Sequence, residues 1–212
     1  GKKDAVGVRG WGRGKGMDGP GPPGHPSADD YGKIASRTAK AMRQLDPSLE
    51  LVVCGSSSAH MPTFGEWERV VLSHTYEDVD YISCHAYYEE RDGDLGSFLA
   101  SAVDMDHFIE SVVATADHVK AVNGSTKTIN ISFDEWNVWY TDRYQNVDKI
   151  EGLDNWPVAP PLLEDTYSVA DAVVFGKPRM WHLPHADRGA GASTAQLAKA
   201  NRPAQTAHAR PR

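Results

Sequence analysis

Glu135 stands in the run Asp134-Glu135-Trp136-Asn137-Val138-Trp139-Tyr140, with the aromatic side chains of Trp136, Trp139 and Tyr140 within five positions of it. Indole and phenol rings beside a carboxylate supply a stacking wall for a sugar and a low-dielectric environment for the acid. Such a combination fits a site that acts on carbohydrate. Two other segments change character in the same way: Cys84 runs into His85-Ala86-Tyr87-Tyr88, and Cys54 runs into Gly55-Ser56-Ser57-Ser58. In each, a short apolar stretch gives way to polar or aromatic residues. Parallel α/β folds gather their chemistry at the carboxyl edge of the sheet, so three such endings predict one shared active face. Each residue also has a plainer use. An acidic residue after a strand serves as a solvated loop group or a helix cap, a lone histidine as a hydrogen-bonded core residue, and Trp139 as packing.

The elements that must position these groups alternate. Ser27 caps a helix whose apolar face runs through Tyr31, Ile34, Thr38, Met42 and Leu45, near a 3.6 period. Leu51-Val52-Val53-Cys54 is apolar on both sides, as a fully buried strand is. Thr63 opens a second helix carrying Trp67, Val70 and Val71, and Val79 to Cys84 is the next strand. A long helix is expected from about Asp104 to Val122, then a strand from Lys127 to Phe133, and a last helix from Leu163 to Phe175. Strands separated by helices predict parallel pairing through right-handed crossovers.

Composition narrows the class. Of 212 residues, 40% are apolar and 24% charged, and the net charge is −7, ordinary for a globular chain. No run approaches the roughly 18 apolar residues of a membrane helix, and no secretory signal opens the chain. A cytoplasmic setting is the expectation. Cys54 and Cys84 are too few for a disulfide framework, and both are expected to be reduced. Nine histidines show no HExxH-like spacing, so no metal or organic cofactor is implied. The ends differ from the middle. Residues 1–27 hold five basic and two acidic groups, and residues 176–212 hold seven basic and one acidic. Both ends lack apolar periodicity, which predicts poor order, and no aromatic stacking pattern accompanies their charge, which argues against nucleic-acid binding.

The run Ile131-Ser132-Phe133-Asp134-Glu135-Trp136-Asn137-Val138-Trp139-Tyr140 closely resembles the nucleophile motif of glycoside hydrolase family 51, the intracellular α-L-arabinofuranosidases. Other segments resemble the same family: Met17-Asp18-Gly19-Pro20, Cys54 to Ser58, Met61 to Trp67, Val79 to Ser83, His85 to Tyr88, and Trp156 to Asp165. The likeness covers about residues 17–175 and then returns briefly at His185 to Arg188 and Ala195 to Leu197.

The resemblance implies a (β/α)8 TIM-type barrel, here a partial one covering about strands four to eight. On this reading residues 28–175 are barrel, 1–27 are an atypical Gly/Pro-rich segment, and 176–212 are a basic tail. The family's first strands would lie before Gly1 and its β-sandwich domain after Arg212. The implied chemistry is retaining hydrolysis by two carboxylates roughly 5–5.5 Å apart. Matched by motif, Glu135 is the nucleophile and Tyr87 its hydrogen-bonding partner. His85 matches another active-site residue, Trp139 a wall of the sugar subsite, and Gln196 a substrate-binding glutamine. Lys199 and Asn201 beside Gln196 depart from the family's apolar strand. The implied partners are arabinofuranosyl oligosaccharides of arabinan or arabinoxylan, and complete family members commonly form homo-oligomers.

One motif fails. The family reads Trp, two variable residues, then Gly-Asn-Glu-Met-Asp-Gly-Pro, whereas this chain reads Trp11-Gly12-Arg13-Gly14-Lys15-Gly16-Met17-Asp18-Gly19-Pro20. Lys15 stands at the position of the sugar-contacting asparagine, and Gly16 at that of the acid/base glutamate. Glycine transfers no proton. Asp18 is the nearest substitute, on a shorter arm, while Glu66, Glu89 and Glu90 lie in segments whose counterparts are not the acid. Because the odd residues sit in Gly-, Arg- and Pro-rich ends, a reading-frame or sequence fault explains them ahead of evolved loss of catalysis. A non-catalytic sugar-binding or inert fragment is the alternative function.

Overall fold

The computed structural model describes residues 10–13, 17–18, 26–140, 167–181 and 188–194, with backbone alone described for 10–13, 177–181 and 189–194. Five parallel strands form one sheet in sequence order: β1 (Gly10–Arg13), β2 (Glu50–Val53), β3 (Tyr81–Tyr88), β4 (Asn130–Val138) and β5 (Gly189–Thr194). Between them run α1 (Ala28–Leu45), α2 (Glu66–Thr75), α3 (Leu95–Leu99), α4 (Ser101–Asn123) and α5 (Val169–Trp181). Spatial order equal to sequence order means that every crossover has the same sense. The helices therefore stack on one face of the sheet, and α1 packs on α2, α2 on α4, and α4 on α5. Between the two layers lies the core, with Val71, Leu72, Ile82, Val112 and Ile129 sealed from solvent. Each such side chain contributes roughly 1.5–3 kcal/mol of burial.

Ser27 caps α1 as its sequence predicts: its Oγ accepts from Asp30 N at 3.1 Å, with Asp29 and Asp30 in the first turn. The buried face agrees with the expected one at Tyr31 and at Met42, which packs against the core, and differs elsewhere. Ile34 and Leu45 are exposed, and the face turned inward is Tyr31, Gly32, Ala35, Ser36 and Ala39. Small residues are needed because α2 lies close. A Cβ on Gly32 would stand 2.9 Å from the His74 ring.

Helix α2 begins at Glu66, three residues later than expected. Gly65 precedes it at φ 80°, and its N–H donates to Glu68 Oε2 at 2.7 Å. Thr63 serves elsewhere, donating from its hydroxyl to the Asp18 carbonyl at 2.5 Å. Strands β3 and β4 run past the expected ends at Cys84 and Phe133, because their pairing resumes from His85–Glu135 to Tyr88–Val138. The expected last helix is shifted to Val169–Trp181, and its expected start at Leu163 lies outside the described residues. Composition at the two ends predicted poor order, yet β1 pairs with β2 and β5 with β4. Ladder hydrogen bonds come from the backbone and need no apolar side chain.

Candidate active site

The carboxyl edge of the sheet is built by three strand ends, each held by its own device. Cys54 follows β2. Its N–H donates to the Tyr31 hydroxyl at 2.9 Å, and its carbonyl accepts from Trp67 Nε1 at 3.0 Å, while the two rings stack at 5.4 Å. Gly55 then crosses β3 so closely that a Cβ would stand 2.0 Å from the Ser83 carbonyl oxygen. Beyond it, Ser56 N–H donates to Glu68 Oε1 at 2.7 Å, and the Ser57 N–H and hydroxyl donate to Asp18 Oδ2 at 2.8 and 2.9 Å. Glu68 is fully buried, and burial pushes its carboxyl above the ordinary range despite those N–H partners.

Glu135 occupies the centre. Tyr87 donates its phenol proton to Glu135 Oε1 at 2.6 Å. Burial, and then the bond to Glu135, push the Tyr87 phenol well above its usual range, so it remains the donor. His85 Nδ1 lies 3.9 Å from Glu135 Oε2, and its Nε2 lies 2.9 Å from Asp134 Oδ1. Trp139 meets the Tyr87 ring edge to face, with centroids 5.1 Å apart. Behind them Trp136 stacks on Phe175 of α5 at 5.0 Å, and Tyr140 donates to the buried Asp171 at 2.6 Å. Residues 136–140 are thereby tied to the outer helix. A groove of about 670 Å³ opens beside Tyr87, between Ser58–His60, the end of β3 and the start of α4.

His85, Tyr87, Glu135 and Trp139 are therefore gathered, as their types and places in the sequence predict. Lys15, Gly16 and Gln196 lie outside the described residues. Asp18 is buried and spends one carboxylate oxygen on Ser57, so it acts as a clamp between the loops after β1 and β2. Glu66 is exposed and paired with Arg69 at 2.6 Å, Glu89 pairs with Arg91 at 2.8 Å, and Glu90 is exposed. Asp134, given no role by sequence reasoning, is the residue the structure adds. Its only signal is its place beside Glu135, where strict alternation would have sent it to the opposite face. Among the described residues, no group of three or more His, Cys, Asp or Glu side chains is arranged to hold a metal ion, and no helix is long and apolar enough to cross a membrane.

A carboxylate bonded by a tyrosine and walled by a tryptophan thus stands at the carboxyl edge of a parallel sheet, the edge where parallel α/β folds place their chemistry. The model of the α-L-arabinofuranosidase C-terminal domain matches residues 134–210. The described part of that stretch is the second half of β4 with α5 and β5, all within the parallel-sheet layer system. The intracellular exo-α-(1→5)-L-arabinofuranosidase of Streptomyces lividans is 57% identical over 97% of this chain and 31% of its own length. Intracellular exo-α-(1→5)-L-arabinofuranosidase 1 of Bacillus subtilis is 50% identical over 97% of the chain and 40% of its own length. A solved family 51 α-L-arabinofuranosidase from Bifidobacterium longum superposes with a TM-score of 0.81 at 43% identity, covering 90% of this chain and 39% of that one. The chain belongs to glycoside hydrolase family 51, of whose curated members it spans only about a third to two fifths. Similarity to those relatives reaches past residues 17–175 into both ends.

Proposed function

We propose that this chain carries the nucleophile half of a retaining α-L-arabinofuranosidase site, set on strands four to eight of a (β/α)8 barrel. The single-sense winding of five parallel strands supports the barrel reading, with residues 28–175 as its body. The flanking segments 1–27 and 176–212 contribute one strand each. The observation that carries the function is the 2.6 Å bond from Tyr87 to Glu135 beside Trp139 at the sheet's carboxyl edge.

In this reading Glu135 Oε2 attacks the anomeric carbon of a terminal arabinofuranosyl unit as the bond to the leaving oxygen breaks. A glycosyl-enzyme ester forms, and water then cleaves it. Tyr87 holds the other oxygen, fixing the carboxylate's orientation, and Trp139 walls the sugar. The leaving oxygen needs a proton, and Gly16 stands where the donor should be. General acid catalysis contributes 10²–10⁴-fold, so its loss raises the barrier by roughly 3–5 kcal/mol. Asp18 does not replace it, being buried and bonded to Ser57. The chain is accordingly crippled toward natural arabinosides, while aryl arabinofuranosides with acidic leaving groups remain able to glycosylate Glu135. Terminal arabinofuranosyl units of arabinan or arabinoxylan oligosaccharides are the substrate class, and the names of the relatives support a cytoplasmic setting. Nothing in the site's chemistry calls for a nucleic acid or a membrane surface.

The test is an aryl arabinofuranoside assay with and without azide, which needs no general base to release the sugar. A burst of phenol that becomes steady turnover with azide, and vanishes in Glu135→Gln, is the expected result. Efficient hydrolysis of an arabino-oligosaccharide by the chain itself would overturn the reading of Gly16 as a lost acid.

A further inference from the structure

We propose that Asp134 is a positioning residue for Glu135, acting through His85; this rests on the reading of Glu135 as the nucleophile. Consecutive residues of a regular strand point to opposite faces, so Asp134 and Glu135 should not reach one imidazole. They do so because β4 is bulged between them and Ser132. Ser83 pairs with Ser132, but His85 pairs with Glu135, so β4 carries one residue more than β3 over that interval. The same extra residue shows against β5, where Phe133 aligns with Ala192 and Trp136 with Thr194. A bulge of this kind re-aims side chains next to a site.

The result is one buried ring between two carboxylates. The His85 side chain is 4% exposed, with Asp134 Oδ1 at 2.9 Å from Nε2 and Glu135 Oε2 at 3.9 Å from Nδ1. Ser132 Oγ stands 3.4 Å from the other Asp134 oxygen. A carboxylate accepts and does not donate, so the nitrogen it touches carries the hydrogen. Asp134 thereby selects the Nε2–H form of His85 and holds the ring with Nδ1 turned toward Glu135. Tyr87 bonds one Glu135 oxygen, and the held His85 ring stands 3.9 Å from the other, limiting how far the carboxylate can turn. An asparagine at 134 would lose that selection, because its amide presents either an N–H or a carbonyl to the ring.

The experiment uses the full chain with ¹⁵N-labelled histidine, with the His85 signals assigned by their loss in His85→Gln. Nitrogen NMR of the unsubstituted chain is expected to show Nε2 protonated. Asp134→Asn is expected to change that pattern and to slow glycosylation of Glu135 by an aryl arabinofuranoside roughly 10- to 100-fold, the scale of a misplaced reacting group. A His85 ring bearing its hydrogen on Nδ1 with Nε2 bare would overturn the proposal. So would an Asp134→Asn variant that keeps both the spectrum and the labelling rate. Should that variant fail to fold, the spectrum of the unsubstituted chain decides alone. Absence of label in every variant would instead sink the nucleophile reading, with the imidazole spectrum still deciding whether Asp134 orders His85.

Discussion

At the scale of single residues, the site depends on which groups keep their protons. Tyr87 keeps its own because burial and the neighbouring Glu135 both disfavour the phenolate. Tyr87→Phe removes a bond to a charged acceptor, an interaction of about 1.5–3 kcal/mol. Glycosylation by an aryl arabinofuranoside is expected to slow by one to two orders of magnitude in that variant, measured as the burst rate. Glu68 is shifted in the same direction, a carboxyl raised by burial. Its folded pKa lies above the unfolded value, so its share of stability is complete below that value. The share is lost as pH rises through the folded pKa. Urea midpoints of the chain should therefore fall relative to those of Glu68→Gln as pH is raised from about 4 toward neutrality. Parallel curves for the two proteins would show that Glu68 is ionised without cost.

At the scale of elements, close approach explains both the fold and what the sequence left illegible. Gly55 lets the chain after β2 cross β3 at backbone distance. Gly55→Ala puts a methyl 2.0 Å from the Ser83 carbonyl, a contact with backbone that no rotamer relieves. A loss of about 1–3 kcal/mol is expected in chemical denaturation, in the range for overpacking a core. An unchanged midpoint would mean that the loop after β2 moves freely. The helix–strand alternation was readable because β2, β3, β4 and α4 bury apolar runs, and apolar runs are what periodicity detects. The inward face of α1 was readable only at Tyr31 and Met42, since Gly32, Ala35, Ser36 and Ala39 carry little apolar weight and are selected by helix–helix distance. Strand ends at Cys84 and Phe133 were placed too early for a related reason. Beyond them the strands continue on backbone pairing while their side chains turn polar to serve the site. The bulge in β4 leaves no mark in the pattern, and with it the place of Asp134 went unread. That His85, Tyr87, Glu135 and Trp139 lie together was legible, because they follow strand ends and match motifs of one family.

At the scale of the whole molecule, the five parallel strands found among the described residues have β1 and β5 at the two ends of their sheet. Open ladder edges are sites where further strands add. The thiols report on the interior of this layered body. Cys54 and Cys84 are both free and buried. Burial pushes Cys54 up to about 12 and raises Cys84 as well, so neither is a reactive thiolate. Thiol titration is expected to count two groups after denaturation and to find them slow to react before it. A count of zero would mean that the chain matures in an oxidising compartment.

The most direct measurement is the location of the sugar. The chain is incubated with an aryl arabinofuranoside bearing an acidic leaving group, quenched in acid, digested and mapped by mass spectrometry. One pentosyl unit should sit on the peptide containing Glu135, with fragmentation placing it on that carboxylate and no label in Glu135→Gln. A pentosyl unit on any other carboxylate, or one retained by Glu135→Gln, would contradict the assignment of Glu135 as the nucleophile.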